Sequence, residues 1–212
     1  MDNSKTYPKV VIFDLDGTLY DKKGLARRLV WSALRQGKLD YLRQERAIRR
    51  QLKGMHFDSK EDFYDAFFGK FSNPQKAREW YFNAYLPSMV SILKRSFQMY
   101  LWVPETIEAI RSQGSRVVIF SDYGAVNEKL EAIGFASAWA DACYDAPALG
   151  GLKPCRESFL KICELLEVAP EACLMVGDRH DTDGIGATAA GMHFLLYVRN
   201  SWPRIDLYAS HL

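Results

Sequence analysis

The chain has 212 residues, 48% of them hydrophobic and 25% charged, with a formal net charge of +2 at pH 7. That balance suits one globular domain, or one domain carrying a sizeable insertion, and excludes a disordered chain. No apolar run approaches the roughly 20 residues that cross a bilayer, and the polar start of the sequence is unlike a secretory signal. Four cysteines (Cys143, Cys155, Cys163 and Cys173) show no CxxC or metal-ligand spacing, so reduced thiols in a cytoplasmic protein are expected.

In chain order, residues 9–13 (KVVIF) form a β-branched run that reads as a buried strand. From 24 to about 100, apolar residues recur at helical spacing: Leu25, Leu29, Val30, Ala33, then Phe63, Phe67, Trp80 and Tyr85. Breaks fall at Gly54, Asn73-Pro74 and Pro87. Residues 20–103 hold 17 basic and 8 acidic residues, against 11 and 18 in the remainder, so a basic helical insert between acidic flanks is expected. Its Arg27, Arg28, Arg49 and Arg50 make either a solvated face or a field that attracts an anionic substrate. Its aromatic residues read as its own core. Beyond 104 the pattern alternates: helix 104–113, strand 116–120, helix 126–133 and a weaker strand at 140–144. Then come helix 156–166, strand 173–176, helix 185–190 and strand 193–197. Such alternation predicts a parallel sheet with right-handed crossovers. The expected class is α/β, a Rossmann-like parallel sheet core with an inserted α-helical cap domain. Residues 1–20 and 101–212 form the core domain and 21–100 the cap.

Chemistry-bearing residues gather where strands end. Asp14-Leu15-Asp16-Gly17-Thr18 follows the first strand and Ser121-Asp122 the second. Gly177-Asp178, with Asp181 and Asp183, follows the fourth, and Lys153-Pro154 precedes a helix. Ligands of open parallel sheets sit beyond the carboxyl ends of the strands, so these groups converge if their strands are neighbours. Converging carboxylates repel unless they shift pKa or share a cation, and hard oxygen ligands combined with phosphate suit Mg2+. Ser121 and the N–H groups of the 16–18 loop can bind phosphoryl oxygens, and Lys153 supplies fixed positive charge.

In order, FDLDGTLY (13–20), FSDYG (120–124), GLKP (151–154) and VGDRHDTDGIGATAAGM (176–192) resemble the four motifs of the haloacid dehalogenase (HAD) superfamily. The resemblance implies a HAD-like core and a Mg2+-dependent phosphatase that hydrolyses a small phosphomonoester through an aspartyl-phosphate. Asp14 resembles the nucleophile, Asp16 the general acid and base, and Lys153 the charge-balancing lysine. Thr18, Ser121 and Asp122 fall to substrate binding. Lys53 joins them from a segment whose LKG resembles a loop of β-phosphoglucomutase, a match that stops at Met55. The implied metal set is Asp14, Asp16 through its carbonyl, Asp178 and Asp183, with Asp183 ranked above Asp181 on spacing. Dehalogenases lack an acid two residues after the nucleophile, so Asp16 favours phosphorus over carbon. The insert is similar to the C1-type cap of phosphoglycolate-phosphatase-like enzymes. A sugar-phosphate mutase and a non-catalytic phosphate-binding or protein-interaction module are the alternatives. The expected partner is a small phosphorylated metabolite, with no nucleic acid and no membrane, for a monomer or homodimer. His180 is expected to be a loop residue.

Overall fold

Val10–Asp14 forms β1 with every residue buried, as a β-branched run must be when strands flank it on both sides. Around it the computed structural model, which describes residues 7–199, adds Arg116–Ser121 (β2), Ala142–Asp145 (β3), Cys173–Gly177 (β4) and His193–Leu196 (β5). All pairings are parallel, in the order β3-β2-β1-β4-β5. The ends assigned to the core by sequence, 1–6 and 200–212, lie outside the described residues. Register sets Asp14 opposite Phe120 and Phe13 opposite Val176, so β1, β2 and β4 finish at one edge. Strand order departs in opposite directions on either side of β1 and β4, which makes their carboxyl ends the natural ligand crevice.

After β1, and within residues 21–100, the chain forms α1 (Leu25–Arg35), α2 (Leu39–Leu52), α3 (Lys60–Gly69), α4 (Pro74–Trp80) and α5 (Leu86–Ser96). Ser59 and Asn73 start α3 and α4 by accepting the N–H groups of Asp62 and Lys76. Pro74 sits at the first helical position, where an N–H would lack an intrahelical partner anyway. A π-helical turn, Tyr81–Tyr85, joins α4 to α5. Phe63, Phe67, Phe68, Trp80, Tyr81 and Tyr85 are buried among these helices, in keeping with a core role. The two crossings to the sheet run side by side. Tyr20 pairs antiparallel with Met99, and the Tyr100 N–H donates to the Leu19 carbonyl at 2.9 Å.

The rest alternates as expected: α6 (Trp102–Ser112), α7 (Val126–Ala132), α8 (Arg156–Leu166) and α9 (Ile185–Ala189) precede β2, β3, β4 and β5 in turn. Helix α6 begins ahead of Pro104, because a proline in the first turn removes no intrahelical hydrogen bond. Strand β3 is half-buried because it lies at a sheet edge, which explains its weak apolar signal. Among the described residues no helix is long and apolar enough to cross a membrane.

Candidate active site

Asp14 ends β1 with its carboxylate at the ligand edge and only 6% of its surface exposed. The Thr18 hydroxyl donates to its Oδ2 at 3.0 Å, and Lys153 Nζ donates to its Oδ1 at 2.6 Å. Lys153 also donates to Asp183 Oδ1 at 2.6 Å and to the Phe120 carbonyl at 3.3 Å. Asp122 Oδ1 fixes the loop by accepting the Lys153 N–H at 2.9 Å. Burial acts to discharge this lysine, but Asp14, Asp183 and Asp122 outweigh it and raise its pKa. A permanent cation is thus locked between two carboxylates. Burial pushes the Asp14 and Asp183 carboxyls up, with Lys153 opposing in both cases.

Asp16 faces a separate set of donors. The Tyr20 hydroxyl donates to its Oδ1 at 2.6 Å and the Ser121 hydroxyl to its Oδ2 at 3.2 Å. The wholly buried ammonium of Lys129, on α7, binds the same Oδ2. Burial works to raise the Asp16 carboxyl, but the Lys129 charge and the three hydrogen bonds overcome it and hold it below the usual range. The two aspartates are therefore pushed in opposite directions although two residues apart.

The third aspartate meets a tethered cation. Lys22 Nζ lies 2.6 Å from Asp178 Oδ2 and donates to the Asp16 carbonyl at 2.8 Å. Burial pushes Asp178 up, and Lys22 opposes it. Carboxylate oxygens of Asp14, Asp178 and Asp183 all lie within 4.8 Å of one another. An anionic, all-oxygen set beside a main-chain carbonyl suits Mg2+, and an ammonium already on two of those oxygens marks a cation position. Backbone shape permits the crowding. A Cβ on Gly177 would fall 2.5 Å from the Asp183 carboxyl, and Gly17 takes a φ of 107° as the loop turns beneath Asp178. After β4 a π-helical turn, His180–Gly184, points Asp183 inward at 1% exposure. Asp181 faces outward and pairs with Arg179 and Lys53, each at 2.6 Å.

The sequence matches the haloacid dehalogenase-like hydrolases over residues 8–191, a span containing every group just described. The chain belongs to this family. It is 26% identical to N-acylneuraminate-9-phosphatase of Rattus norvegicus, across 91% of this chain and 83% of that one. Its fold is similar to that of the magnesium-bound HAD hydrolase YfnB of Bacillus subtilis, with a TM-score of 0.65 and 16% identity over 96% and 98% of the two chains. It is also similar to a 2-haloacid dehalogenase of Pseudomonas syringae, with a TM-score of 0.57 and 22% identity over 89% and 86%. Because hydrolysis at carbon uses the same architecture, the side chains must decide the reaction.

In this HAD-like hydrolase Asp14, Asp16, Asp122, Lys153, Asp178 and Asp183 line one cavity of about 390 Å³. Thr18 and Ser121 are wholly buried, bound to Asp14 and Asp16 respectively. Lys53 is absent from that lining; it borders an adjacent cavity while paired with Asp181. His180, expected in a loop, opens the π-helical turn and packs edge-on against Phe194. Arg49 corrects the sequence reading. Expected on a solvated or substrate-attracting face, it is 8% exposed and bound to Glu45 at 2.5 Å, the Tyr81 hydroxyl at 2.8 Å and the Asp122 carbonyl at 3.0 Å. Its guanidinium also lies 3.9 Å from the Tyr123 ring centroid, so it braces α2 against the loop after β2.

Three further residues escaped the sequence reading: Lys22, Tyr20 and Lys129. Lys129 reaches back to Ser121, eight positions earlier, because Ala125 starts α7 in the left-handed region at φ 56°. No residue type announces that turn. Tyr20, four residues after Asp16 in a tight loop, was the readable one.

Proposed function

We propose that this hydrolase is a Mg2+-dependent phosphatase acting on a small phosphomonoester through an aspartyl-phosphate on Asp14. The observation that carries this reading is Asp16: a second carboxylate beside the nucleophile, in the same cavity, with its own donor set. Leaving-group protonation at phosphorus needs such a proton carrier; displacement of halide from carbon does not.

In the first step an Asp14 oxygen attacks phosphorus, the Asp14–phosphorus bond forms and the ester P–O bond breaks, and Asp16 protonates the departing alkoxide. In the second step Asp16 takes a proton from water as that water attacks phosphorus, releasing phosphate and restoring Asp14. Lys153 stays charged throughout, held by Asp183, and offsets negative charge at Asp14. Mg2+, held by Asp14, Asp178 and the Asp16 carbonyl, would neutralise phosphate charge so that an anionic nucleophile can approach. Residues 21–100 would act as a cap over a core of 1–20 and 101–212, excluding water from the cavity.

Asp14 is pushed up and Asp16 down, the reverse of what an ionised nucleophile and a protonated acid require. A divalent cation beside Asp14 and a phosphate dianion beside Asp16 are the two charges that would invert that order.

Phosphate release from a panel of sugar, polyol and nucleotide phosphates tests the proposal. Wild-type protein should release phosphate with Mg2+ and stop in EDTA, and Asp14→Asn should fold normally yet retain less than about 1% of the rate. Phosphate release undiminished in Asp14→Asn would remove the covalent step. A hexose phosphate isomerised without phosphate release would make the protein a mutase instead.

A further inference from the structure

The cavity that holds Asp14 has a second chemical character. Beyond its acidic floor it is walled by Leu25, Ala26, Leu29, Tyr85 and Met89 of the helical insert, with Arg46 of α2 among them. An adjoining cavity of about 440 Å³ shares Arg46, Asp122, Tyr123, Lys153 and Arg179 with it and adds Arg50 and Lys53. Substrate space therefore runs from a phosphoryl-transfer centre, along aliphatic side chains, to a basic wall.

The cations lining the first cavity are not equivalent. Lys22 is paired with Asp178, Lys153 with Asp14 and Asp183, and Arg179 with Asp181. Among the described residues Arg46 has no carboxylate within ion-pair distance, and its NH2 makes one long 3.4 Å hydrogen bond, to the Ala26 carbonyl. It is half-buried, so water solvates it incompletely. Of the neighbouring arginines, Arg49 is bound to Glu45, Arg28 lies over the Phe97 ring without lining this cavity, and Arg50 is exposed and lines only the adjoining one. A guanidinium with unused N–H groups, in a fork that matches carboxylate or phosphate oxygens, is a receptor for an anion.

We infer that the substrate is a phosphomonoester bearing a second anionic group, a carboxylate or another phosphate, on a short carbon chain, and that Arg46 binds that group. Leu25, Leu29 and Met89 contact the C–H surface of the chain between the two ends. This inference rests on the phosphatase reading, because the scissile phosphate defines the other end of the ligand.

Two measurements separate the inference from the reading beneath it. Phosphate release by wild-type protein with Mg2+ is followed for alditol phosphates, the aldonic-acid phosphates of equal carbon number and the corresponding bisphosphates, from three to six carbons. Binding of the same compounds to Asp14→Asn protein is measured by calorimetry, where turnover plays no part. In at least one chain length the acid or the bisphosphate should bind about tenfold tighter or more than the alditol phosphate, and the stronger of the two arms identifies the anion. Arg46→Gln in the Asp14→Asn background should bring that ratio close to one. Arg46→Lys, which keeps the charge and loses the fork, should retain part of it and serves as the second variant. Equal affinities at every chain length, or a preference that Arg46→Gln leaves intact, overturn the inference whether or not wild-type protein releases phosphate. A preference that depends on Arg46, without phosphate release from any compound, upholds the anion site and overturns the phosphatase reading.

Discussion

Lys22 behaves as a tethered monovalent cation, holding the Asp16 carbonyl and one Asp178 oxygen, which a divalent ion would need. Its side chain is 41% exposed and that of Asp178 20%, so water screens the pair and its net strength is that of a surface salt bridge, about 1 kcal/mol or less. Lys22→Met should therefore bind Mg2+ about twofold to fivefold tighter in a calorimetric titration. An unchanged affinity would mean that the ammonium leaves the site without cost. Lys129 is different, because its wholly buried charge has Asp16 as its acidic partner. Burial pushes Asp16 up and Lys129 provides the largest opposing force, so Lys129→Met should raise the Asp16 pKa. A general acid with a raised pKa stays protonated to higher pH, so the alkaline limb of kcat/KM should move upward while the maximal rate falls. An alkaline limb that stays in place in Lys129→Met would separate Asp16 from the proton transfer.

At the scale of elements, a buried arginine braces α2 against the loop after β2. Glu45 is wholly buried and its Oε2 has no hydrogen-bond partner among the described residues, while its Oε1 depends on Arg49. Removing one partner of a buried ion pair costs about 3–5 kcal/mol, whereas replacing both with apolar groups is often neutral. Arg49→Met should lose about that much unfolding free energy in urea, and Glu45→Met combined with Arg49→Met should recover most of it. The deficit should also depend on pH. Burial already raises the Glu45 carboxyl above its ordinary 4.5, and loss of Arg49 removes the main opposing charge. A group raised on folding favours the folded state below its unfolded pKa and loses that contribution as pH rises through its folded pKa. The Arg49→Met deficit should thus be smallest below the ordinary Glu45 value of 4.5 and grow as pH rises towards neutrality. This pair also shows what the sequence hides. Strands β1, β2 and β4 were legible as apolar runs, the motifs at the ends of β1 and β4 marked Asp14, Asp16 and Asp178, and Lys153 was read from the loop ahead of α8. Those signals are local: strand, turn and charged tip lie within a few residues. Arg49 and Glu45 share helical spacing with many solvated pairs, and only the packing of α2 against Tyr81 and Tyr123 buries them. The same limit applies to Lys129, whose contact depends on a left-handed Ala125.

At the scale of the molecule, the charge asymmetry read from composition becomes a set of bonds across one boundary. Residues 20–103 carry 17 basic and 8 acidic side chains, and the remainder carries 11 and 18. Lys22 meets Asp178, Lys53 meets Asp181 and Lys60 meets Asp145, each joining the basic segment to the acidic one. All three lysines are a third or more exposed, so these attractions are open to salt. Neutral contacts cross the same boundary: the Phe57 N–H donates to the Gly150 carbonyl at 2.6 Å, and the Gly54 N–H to the Leu152 carbonyl at 3.1 Å. Salt leaves those bonds nearly untouched. The Debye length falls from about 30 Å at 0.01 M to about 8 Å at 0.15 M and 3 Å at 1 M, so added salt weakens the ionic share selectively. If that share holds the helical insert over the site, the radius of gyration from small-angle scattering should grow with salt in ligand-free protein. KM for an anionic substrate should rise over the same range, because both closure and substrate attraction are screened. A radius of gyration independent of salt together with a rising KM would assign the basic excess to substrate attraction alone. Constancy of both would leave the neutral hydrogen bonds and apolar packing as what holds the insert in place.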